Sequence, residues 1–532
     1  MQVLKYAVPR TVLGAALAGA MLFGAAAAAH AQELRIGVRA GPEAMDPHYM
    51  AIGNQIAAIK NVYEALVSQD EQLRIQPALA TAWKLLDDTT WEFKLRPQVK
   101  FHDGSELHAR DVKFSLERVP RVAGPNGGLV INTRNITEVL VLDSLTVRIR
   151  TSIPNPSLPQ DLARIMIVPA HIGDDAQVAA FNSGKAAIGT GPFKLLSFKP
   201  RTELLLERFD SYWRGPADWK RVQLLEISND AARLAALASR RVDLINFVPY
   251  GDVAKLKKNS DYTVLHGDSI YIFLLYPDFR AQSDLITDKA GKPLASNPLR
   301  DKRVREALSL AVDRRTIAAT VLEGLAKPAN QIIVDKFFGA IEKPAPAQTN
   351  IQKARELLAQ AGYPDGFALP LHCTSDRLPG DAALCSALGQ MLAKVGLDVK
   401  VNAVSRTVFI PARARGEYVL SLAGWGSLTG EAGYTLAALA HTNDKSKGFG
   451  AFNFTNYSNP GTDAAISVAM RAMDSDRRRL LLSGAMQAVQ EDYAIIPLVQ
   501  LSSVWATRAK TLAFTPRVDD ETLAYFIQAV KK

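Results

Sequence analysis

The chain has 532 residues, 48% of them hydrophobic and 22% charged, the balance of a globular protein and too much length for one compact core. Length alone predicts roughly two to four domains. The net charge of +10 comes from scattered Lys and Arg, with only short clusters such as Lys257-Lys258 and Arg477-Arg478-Arg479, so it reads as solvated surface and not as a nucleic-acid or anionic-lipid site.

The first residues read as an address. Lys5 and Arg10 precede an apolar or small run from Thr11 to Ala28, and Ala29-His30-Ala31 supplies an A-x-A cleavage pattern. Residues 1–31 are therefore expected to be a signal peptide cut near Ala31, and the mature protein to be exported. The run is alanine-rich and weakly hydrophobic, which argues against an uncleaved anchor. Gln32 after the cut offers no thiol for a lipid, and no later run reaches the ~18 apolar residues of a membrane span.

Leu34 to Val38 alternates as a first strand, and Met45-Asp46-Pro47-His48 follows its loop. Asn61-Val62-Tyr63-Glu64-Ala65-Leu66 and Pro77-Ala78-Leu79-Ala80-Thr81-Ala82-Trp83 come next. From Thr90 the pattern is informative at almost every position. Trp91, Phe93 and Leu95 alternate with Glu92, Lys94 and Arg96 as a half-buried strand, and Val99 to Phe101 is a second short run before the Asp103-Gly104 turn. Val112, Leu116 and Val119 then share one helix face, with Asp111 in the first turn. Pro120, Gly124, Pro125, Gly127 and Gly128 make the following segment a loop, and Ile136 to Arg150 alternates as a strand pair.

Gly189-Thr190-Gly191-Pro192-Phe193 has the look of a phosphate loop, but it lacks the Gly-Lys-Ser/Thr ending and Pro192 has no N–H to give. Tyr212-Trp213-Arg214-Gly215, a helix from Ala231 to Asp243 and an apolar strand from Tyr271 to Tyr276 follow. Val304, Ala307, Leu308, Ala311 and Val312 mark an amphipathic helix. Ile351 to Ala361 is another, ended by Gly362 with Pro364 beyond. The only two cysteines lie on a strand-like run, Ala368 to Cys373, and on a helical one, Asp381 to Val395. In an oxidising compartment Cys373 and Cys385 are expected to form a disulfide, the alternative being two free buried thiols.

The tryptophan strand, the "F-x-D-G" turn and the "A-x-D-V-x-F-S-L-E-R" helix resemble the signature of the extracellular solute-binding proteins of the peptide/nickel class, family 5. These are the dipeptide- and oligopeptide-binding components of ABC importers. The "N-x-Y-E-x-L", "P-x-L-A-x-x-W", "G-T-G-P-F" and "R-V-R-x-A-L" runs are similar to the family's in the same order, from Leu34 to about Trp505. The resemblance implies an α/β, two-lobed periplasmic-binding-protein fold of the class with an extra inserted domain, closing on a hinge around a cleft. Lobe I would be discontinuous, 32–60, 186–265 and 495–532. A small inserted domain would span 61–185, and lobe II 266–494.

The implied function is capture of a short or modified peptide, or a peptide-like compound, by a monomer that delivers it to an ABC transporter permease, with no cofactor and no bond made or broken. A second reading is the same scaffold holding an oligosaccharide, an opine-like metabolite or a metal chelate. An exported hydrolase is a third, but neither Gly-x-Ser-x-Gly nor His-Glu-x-x-His occurs. His102, Asp103, Glu106, His108 and Asp111 suggest a metal set. A turn and a helix cap explain them better, and no metal site is expected.

A binding cleft needs backbone donors, an aromatic wall and a few charges. The resemblance places Gly41 and Pro42, after strand one, along it. It also likens Leu420 to Tyr434 to the family's "G-W-x-x-D" loop, giving Trp425, Gly426 and Ser427 as ligand neighbours. In peptide binders the acid three residues after the tryptophan pairs with the peptide's ammonium. Here that position is Leu428 and the nearest acid is Glu431. Either Glu431 substitutes, or the ligand is not an ordinary peptide, because a desolvated ammonium without a partner costs several kcal/mol. Asp376 and Arg377, just after Cys373, resemble the loop reaching over the ligand, where a guanidinium clamps a carboxylate. Arg413 is a further anion partner, and Tyr271 a further piece of wall.

Overall fold

The computed structural model describes residues 33–50, 52–122, 124 and 129–530. The expected signal peptide lies outside the described residues, as do Pro125, Gly127 and Gly128 of the expected loop.

The apolar alternation of the first strand gives β1 (Glu33–Val38), with Leu34 and Ile36 fully buried. A short antiparallel hairpin follows, β2 (Val67–Gln69) with β3 (Ile75–Pro77). Next, β4 (Ala80–Asp87), β5 (Thr90–Leu95), β6 (Ile136–Asp143) and β7 (Thr146–Thr151) form a separate antiparallel sheet in the order β4-β5-β7-β6. One face of this sheet buries Phe93, Leu95, Val147 and Ile149 against Val112 and Leu116 of the helix Ala109–Arg118. That helix starts where expected: Asp111 accepts from the His108 amide at 2.8 Å, a carboxylate at a helix start. The expected short strand Val99–Phe101 reduces to one bridge between Lys100 and Glu106, since Gln98 turns the chain at φ +61°.

His102, Asp103 and Asp111 of the suspected metal set are each engaged by groups outside the set. The His102 ring lies between the Gly189 amide and the Gly191 carbonyl, and burial holds its pKa down at about 4. Asp103 pairs with His171 at 2.8 Å, and the second Asp111 oxygen accepts from Ala170. The glycines of the Gly-Thr-Gly-Pro run serve close packing: a Cβ on Gly191 would stand 2.7 Å from the Val62 carbonyl, whose oxygen its N–H meets at 3.0 Å.

The rest of the chain builds one large sheet. β8 (Phe193–Lys199), β9 (Glu203–Arg208), β10 (Arg221–Glu226) and β11 (Leu244–Asn246) flank β1, which runs parallel to both β10 and β11. The long strand β12 (Tyr262–Pro277) follows, then β13 (Ala326–Pro328), β14 (Ala368–Thr374), β15 (Asp398–Val404), β16 (Leu420–Trp425) and the long β17 (Ile496–Arg508). The eleven strands run β15-β14-β16-β12-β17-β11-β1-β10-β9-β8, with β13 on β17. The first lobe is thus gathered around β1 and the second around β14. β12 and β17 belong to both: their register shifts between Asp268 and Ile272, where the sheet passes from one lobe to the other. A strand pair that crosses between lobes and breaks register there is the natural hinge of such a fold.

The expected helices at 304–312 and 351–361 appear as Lys302–Ala311 and Ile351–Gln360, with Gly362 at φ +94° closing the latter. The helix expected over 231–243 stops at Ala238, because Arg240 turns to φ +63°. The Tyr271–Tyr276 run is the second part of β12, longer than its apolar core suggested.

Candidate ligand-binding site

β16 pairs with the second half of β12, so Trp425 lies opposite Ile272. Glycine is required on both sides of it. A Cβ on Gly426 would stand 2.7 Å from the Ile270 side chain, and one on Gly424 would overlap Leu378. Trp425 stacks on Tyr434 with centroids 5.5 Å apart and meets Phe452 edge-on at 5.3 Å; Phe452 in turn meets Phe454. The Arg413 guanidinium closes the row, 5.4 Å from the Phe454 ring and 4.2 Å from that of Tyr276. Sequence-predicted Trp425 and Arg413 therefore belong to one aromatic row, joined through Phe452 and Phe454, with Tyr434 on the far side of Trp425. Tyr434, Phe452 and Phe454 were not singled out in the sequence. Nε and Nη2 of Arg413 and the Tyr276 hydroxyl are sealed from solvent with no hydrogen-bond partner. Burial depresses the Arg413 pKa, and the Arg377 charge presses it the same way.

Arg377 sits on a braced loop. The disulfide Cys373–Cys385 ties the end of β14 to the helix Asp381–Ala393, Cα atoms 6.1 Å apart, as expected. Asp381 accepts from Thr374 Oγ1 at 2.7 Å and from the Arg377 amide at 3.0 Å, pinning the loop from below. The guanidinium then reaches Gly424 O at 2.9 Å, next to Trp425, and no carboxylate pairs with it among the described residues. Asp376 turns away, its carboxylate taking the Arg406 amide at 2.7 Å. Tyr271 lies within the electrostatic reach of Arg377; burial raises its pKa and Arg377 offsets part of the rise.

Gly41 and Pro42 are buried in the first lobe, where Glu226 takes the Gly41 N–H and Asn54 donates to its carbonyl. Their neighbour Arg39, not foreseen, crosses between lobes: its Nη2 donates to the Asp376 carbonyl at 2.8 Å. Leu428 is half-buried among second-lobe apolar groups, and its carbonyl accepts from Gln69 of β2 at 3.3 Å.

Glu431 is 2% exposed, and both of its oxygens are engaged. Arg478 donates to them at 2.8 and 2.9 Å, and Ser157 of the small domain donates to Oε1 at 2.9 Å while accepting from Arg478 at 2.8 Å. Ser427 completes the turn by donating to the Glu431 carbonyl. Ser157, bonded to both members of the Arg478–Glu431 pair, thus ties the small domain to the second lobe. Nothing near Leu428 announced it in the sequence, since Arg478 is 47 residues away.

A cavity of about 600 Å³ lies elsewhere, between the small domain, the first lobe and the C-terminal segment, with Glu64, Gln69, Trp213, Arg517 and Tyr525 among its walls. None of the predicted site residues lines it. Its buried acid Glu64 is already satisfied by Thr190, Tyr212 and Trp213.

The comparisons agree with this architecture. Residues 74–447 match the model of the bacterial extracellular solute-binding proteins, family 5. The glutathione-binding protein GsiB of Salmonella paratyphi A is 26% identical over 497 residues, 91% of this chain and 92% of the relative. Among solved structures, the periplasmic binding protein DppA of Helicobacter pylori in complex with the peptide STSA superposes with a TM-score of 0.77 at 23% identity, over 94% of this chain and 98% of that one. The binding protein AgaA of A. tumefaciens R10 in complex with agropinic acid does so with 0.74 at 24%, over 94% and 99%. With a family model matched over well more than half its length, this chain belongs to the bacterial extracellular solute-binding proteins, family 5, which take up small solutes between two lobes for ABC importers.

Proposed function

We propose that the cleft takes a short or modified peptide, or a peptide-like amphoteric solute, with Arg377 on its carboxylate and the wall of Trp425, Tyr434, Phe452 and Tyr271 against its apolar parts. The observation that carries this reading is Arg377 itself. Its backbone is locked by a disulfide and by Asp381, it sits beside Trp425 at the lobe boundary, and it meets one carbonyl and no acid. Arg413, sealed and short of acceptors, is a second anion partner. Relatives named for glutathione and a structural neighbour holding a peptide fit the same chemistry. Gly426 and Ser427 shape the wall, Glu431 and Leu428 serve the small-domain contact, and Gly41 and Pro42 support Arg39.

The same reading makes the protein an exported, periplasmic monomer that docks on a permease and alters no bond. Its lobes divide as 32–60, 186–265 and 495–532 for the first and 266–494 for the second, with 61–185 inserted; the first cut falls within β12, at the crossing strands. Closure must be driven by contacts to both lobes, since only differential affinity shifts such an equilibrium. On this division Arg39–Asp376, Gln69–Leu428 and Ser157–Glu431 cross to the second lobe, so opening of the cleft would have to break them. Isothermal titration with alanyl-alanine, trialanine and glutathione, followed by X-ray scattering, tests this. Saturable binding with a fall in radius of gyration is expected, and Arg377→Ala should weaken it about 10- to 100-fold, the worth of a charge-assisted pair. Silence toward all three beside a response to an oligosaccharide or a sugar–amino acid conjugate would replace the peptide reading with the second one. A probe returned chemically changed would end the transport reading altogether.

A further inference from the structure

Leu428 leaves an amphoteric ligand without the acid that would meet its ammonium, and Glu431 is closed off by Arg478 and Ser157. A different carboxylate faces the lobe boundary. After β17 the chain runs Arg517-Val518-Asp519-Asp520-Glu521 back along the crossing strands, with the Val518 carbonyl accepting from Ile270 at 2.7 Å. The three acids have different partners. Asp519 pairs with Arg517 at 2.7 Å and Glu521 with Lys60 at 2.8 Å. Asp520, placed at φ +65°, meets no cation among the described residues; Ser269 of β12 donates to one of its oxygens at 3.1 Å and Ser503 of β17 to the other.

Asp520 lines a crevice shared by both lobes. Phe247, Tyr250 and Tyr271 form one side and Leu378 and Pro379, the two residues after Arg377, the other. The free volume is about 10 Å³, room for a single water-sized group, and a primary ammonium is of that size. Aromatic rings, a carboxylate and two hydroxyls in a narrow slot are what an alkylammonium needs: one ion pair, acceptors for its remaining protons and π faces for its positive charge. An anion there also complements Arg377, whose charge bears on the same Tyr271.

We propose that Asp520 receives the ligand's ammonium group, in the slot that the Arg377–Pro379 loop covers from the second lobe. This rests on the amphoteric-ligand reading above and adds its cationic anchor. A ligand held at one end by Arg377 and at the other by Asp520 touches both lobes, which is the condition for closure. Burial and the like charges of Asp519 and Glu521 raise the Asp520 pKa to about 7, and the seryl hydroxyls only partly oppose them, which a cation beside the carboxylate would reverse. The other titratable groups that face it are Tyr250 and Tyr271, whose pKa values its charge helps to raise.

The test pairs glutathione and trialanine with the same molecules lacking the amino group, glutaryl-cysteinyl-glycine and propionyl-alanyl-alanine. Wild type is expected to bind the amines at least tenfold tighter. Asp520→Asn should lose that preference, binding the amines at least tenfold more weakly and the desamino compounds as before. Equal amine affinity in wild type and Asp520→Asn would overturn the anchor and leave the peptide reading standing, whereas wild type indifferent to all four probes would overturn both. Wild type also supplies a measurement that needs no variant. Since Asp520 must be ionised to pair, amine affinity should weaken by up to about tenfold per pH unit below 7, with no such fall for the desamino compounds. An amine affinity flat from pH 8 to 5.5 would overturn the proposal.

Discussion

The buried arginines of the scaffold and the two half-buried arginines proposed for the cleft are treated in opposite ways. Arg118 meets Asp46 at 2.6 Å, Arg305 meets Asp492 at 2.5 Å, Arg478 meets Glu431 at 2.8 Å and Arg517 meets Asp519 at 2.7 Å. Arg314 has no acid but is wrapped by Pro497 O, Ser309 O, Ser309 Oγ and Val312 O. Arg377 has one carbonyl, and Arg413 has two aromatic rings with two of its nitrogens unanswered. Desolvated charge is costly unless paired, so a fold leaves it unpaired only where something else arrives to pair it. The scaffold group is satisfied within the fold; the proposed function assigns the other two an anion from outside it.

The sharpest way to break the contrast is to make a scaffold arginine resemble a cleft one in reverse, by stranding its acid. Arg478→Ala leaves Glu431 buried without a cation and takes a partner from Ser157. About 3–5 kcal/mol of stability should go, read as a lowered denaturant midpoint, with the small-domain contact loosened. A change under 1 kcal/mol would mean that the pair only decorates the interface. Removing the bridge, as Cys373→Ser with Cys385→Ser, should cost about 2–4 kcal/mol and also weaken any carboxylate ligand, since the Arg377 loop is then held by hydrogen bonds without its covalent tie.

A third test uses pH. Arg118 Nη1 donates to His48 Nδ1 at 3.0 Å while the Nε2–H of the same ring donates to Met166 O at 2.8 Å, which only the neutral ring can satisfy. Burial, with Arg118 beside it, lowers the His48 pKa to about 4. The folded value lies below the unfolded one of about 6.5, so the stabilisation is complete above that value and is lost as pH falls from about 6.5 to 4. A loss of about 2–3 kcal/mol over that window is expected, and His48→Gln should flatten it.

How much of this could be read in the sequence depended on how local the physics was. The strand–turn–helix of Thr90 to Val119, the helix at Val304 and the disulfide each rest on residues within one or two elements, and periodicity or spacing reports them. Trp425 and Arg377 were singled out through the motifs they resemble, and the structure brings them together at Gly424, whose carbonyl accepts from Arg377. Glu431 was legible as the nearest acid, but the Arg478 and Ser157 that occupy it are 47 and 274 residues away, and no local pattern carries such a pairing. The same holds for Arg39 and for Asp520, which faces the crevice only because the C-terminal segment doubles back across β12. The lobe boundary at 265–266 fell inside β12 for a related reason: a strand shared by two lobes has one hydrophobic rhythm, and only its register break marks the crossing.

The mildest expected effect on the empty protein is also the most discriminating. Arg377→Ala removes one hydrogen bond to Gly424 O and no ion pair, so stability should move by no more than about 0.5 kcal/mol. Arg413→Met keeps a long apolar stem against Tyr276 and Phe454, gives up a cation–π contact of roughly 1 kcal/mol, and removes the cost of an unanswered buried charge. The two terms oppose one another, so the ligand-free midpoint should stay level or rise. Affinity for a carboxylate ligand should fall by roughly 10- to 100-fold for Arg377→Ala, and by a smaller factor for Arg413→Met. Scaffold and cleft would then be separated by the sign pattern alone, since Arg478→Ala lowers stability first, whereas the cleft variants lose ligand with the fold intact. If Arg413→Met instead unfolded the second lobe and left binding unchanged, Arg413 would belong with the scaffold arginines, and Arg377 would be the cleft's single anion partner.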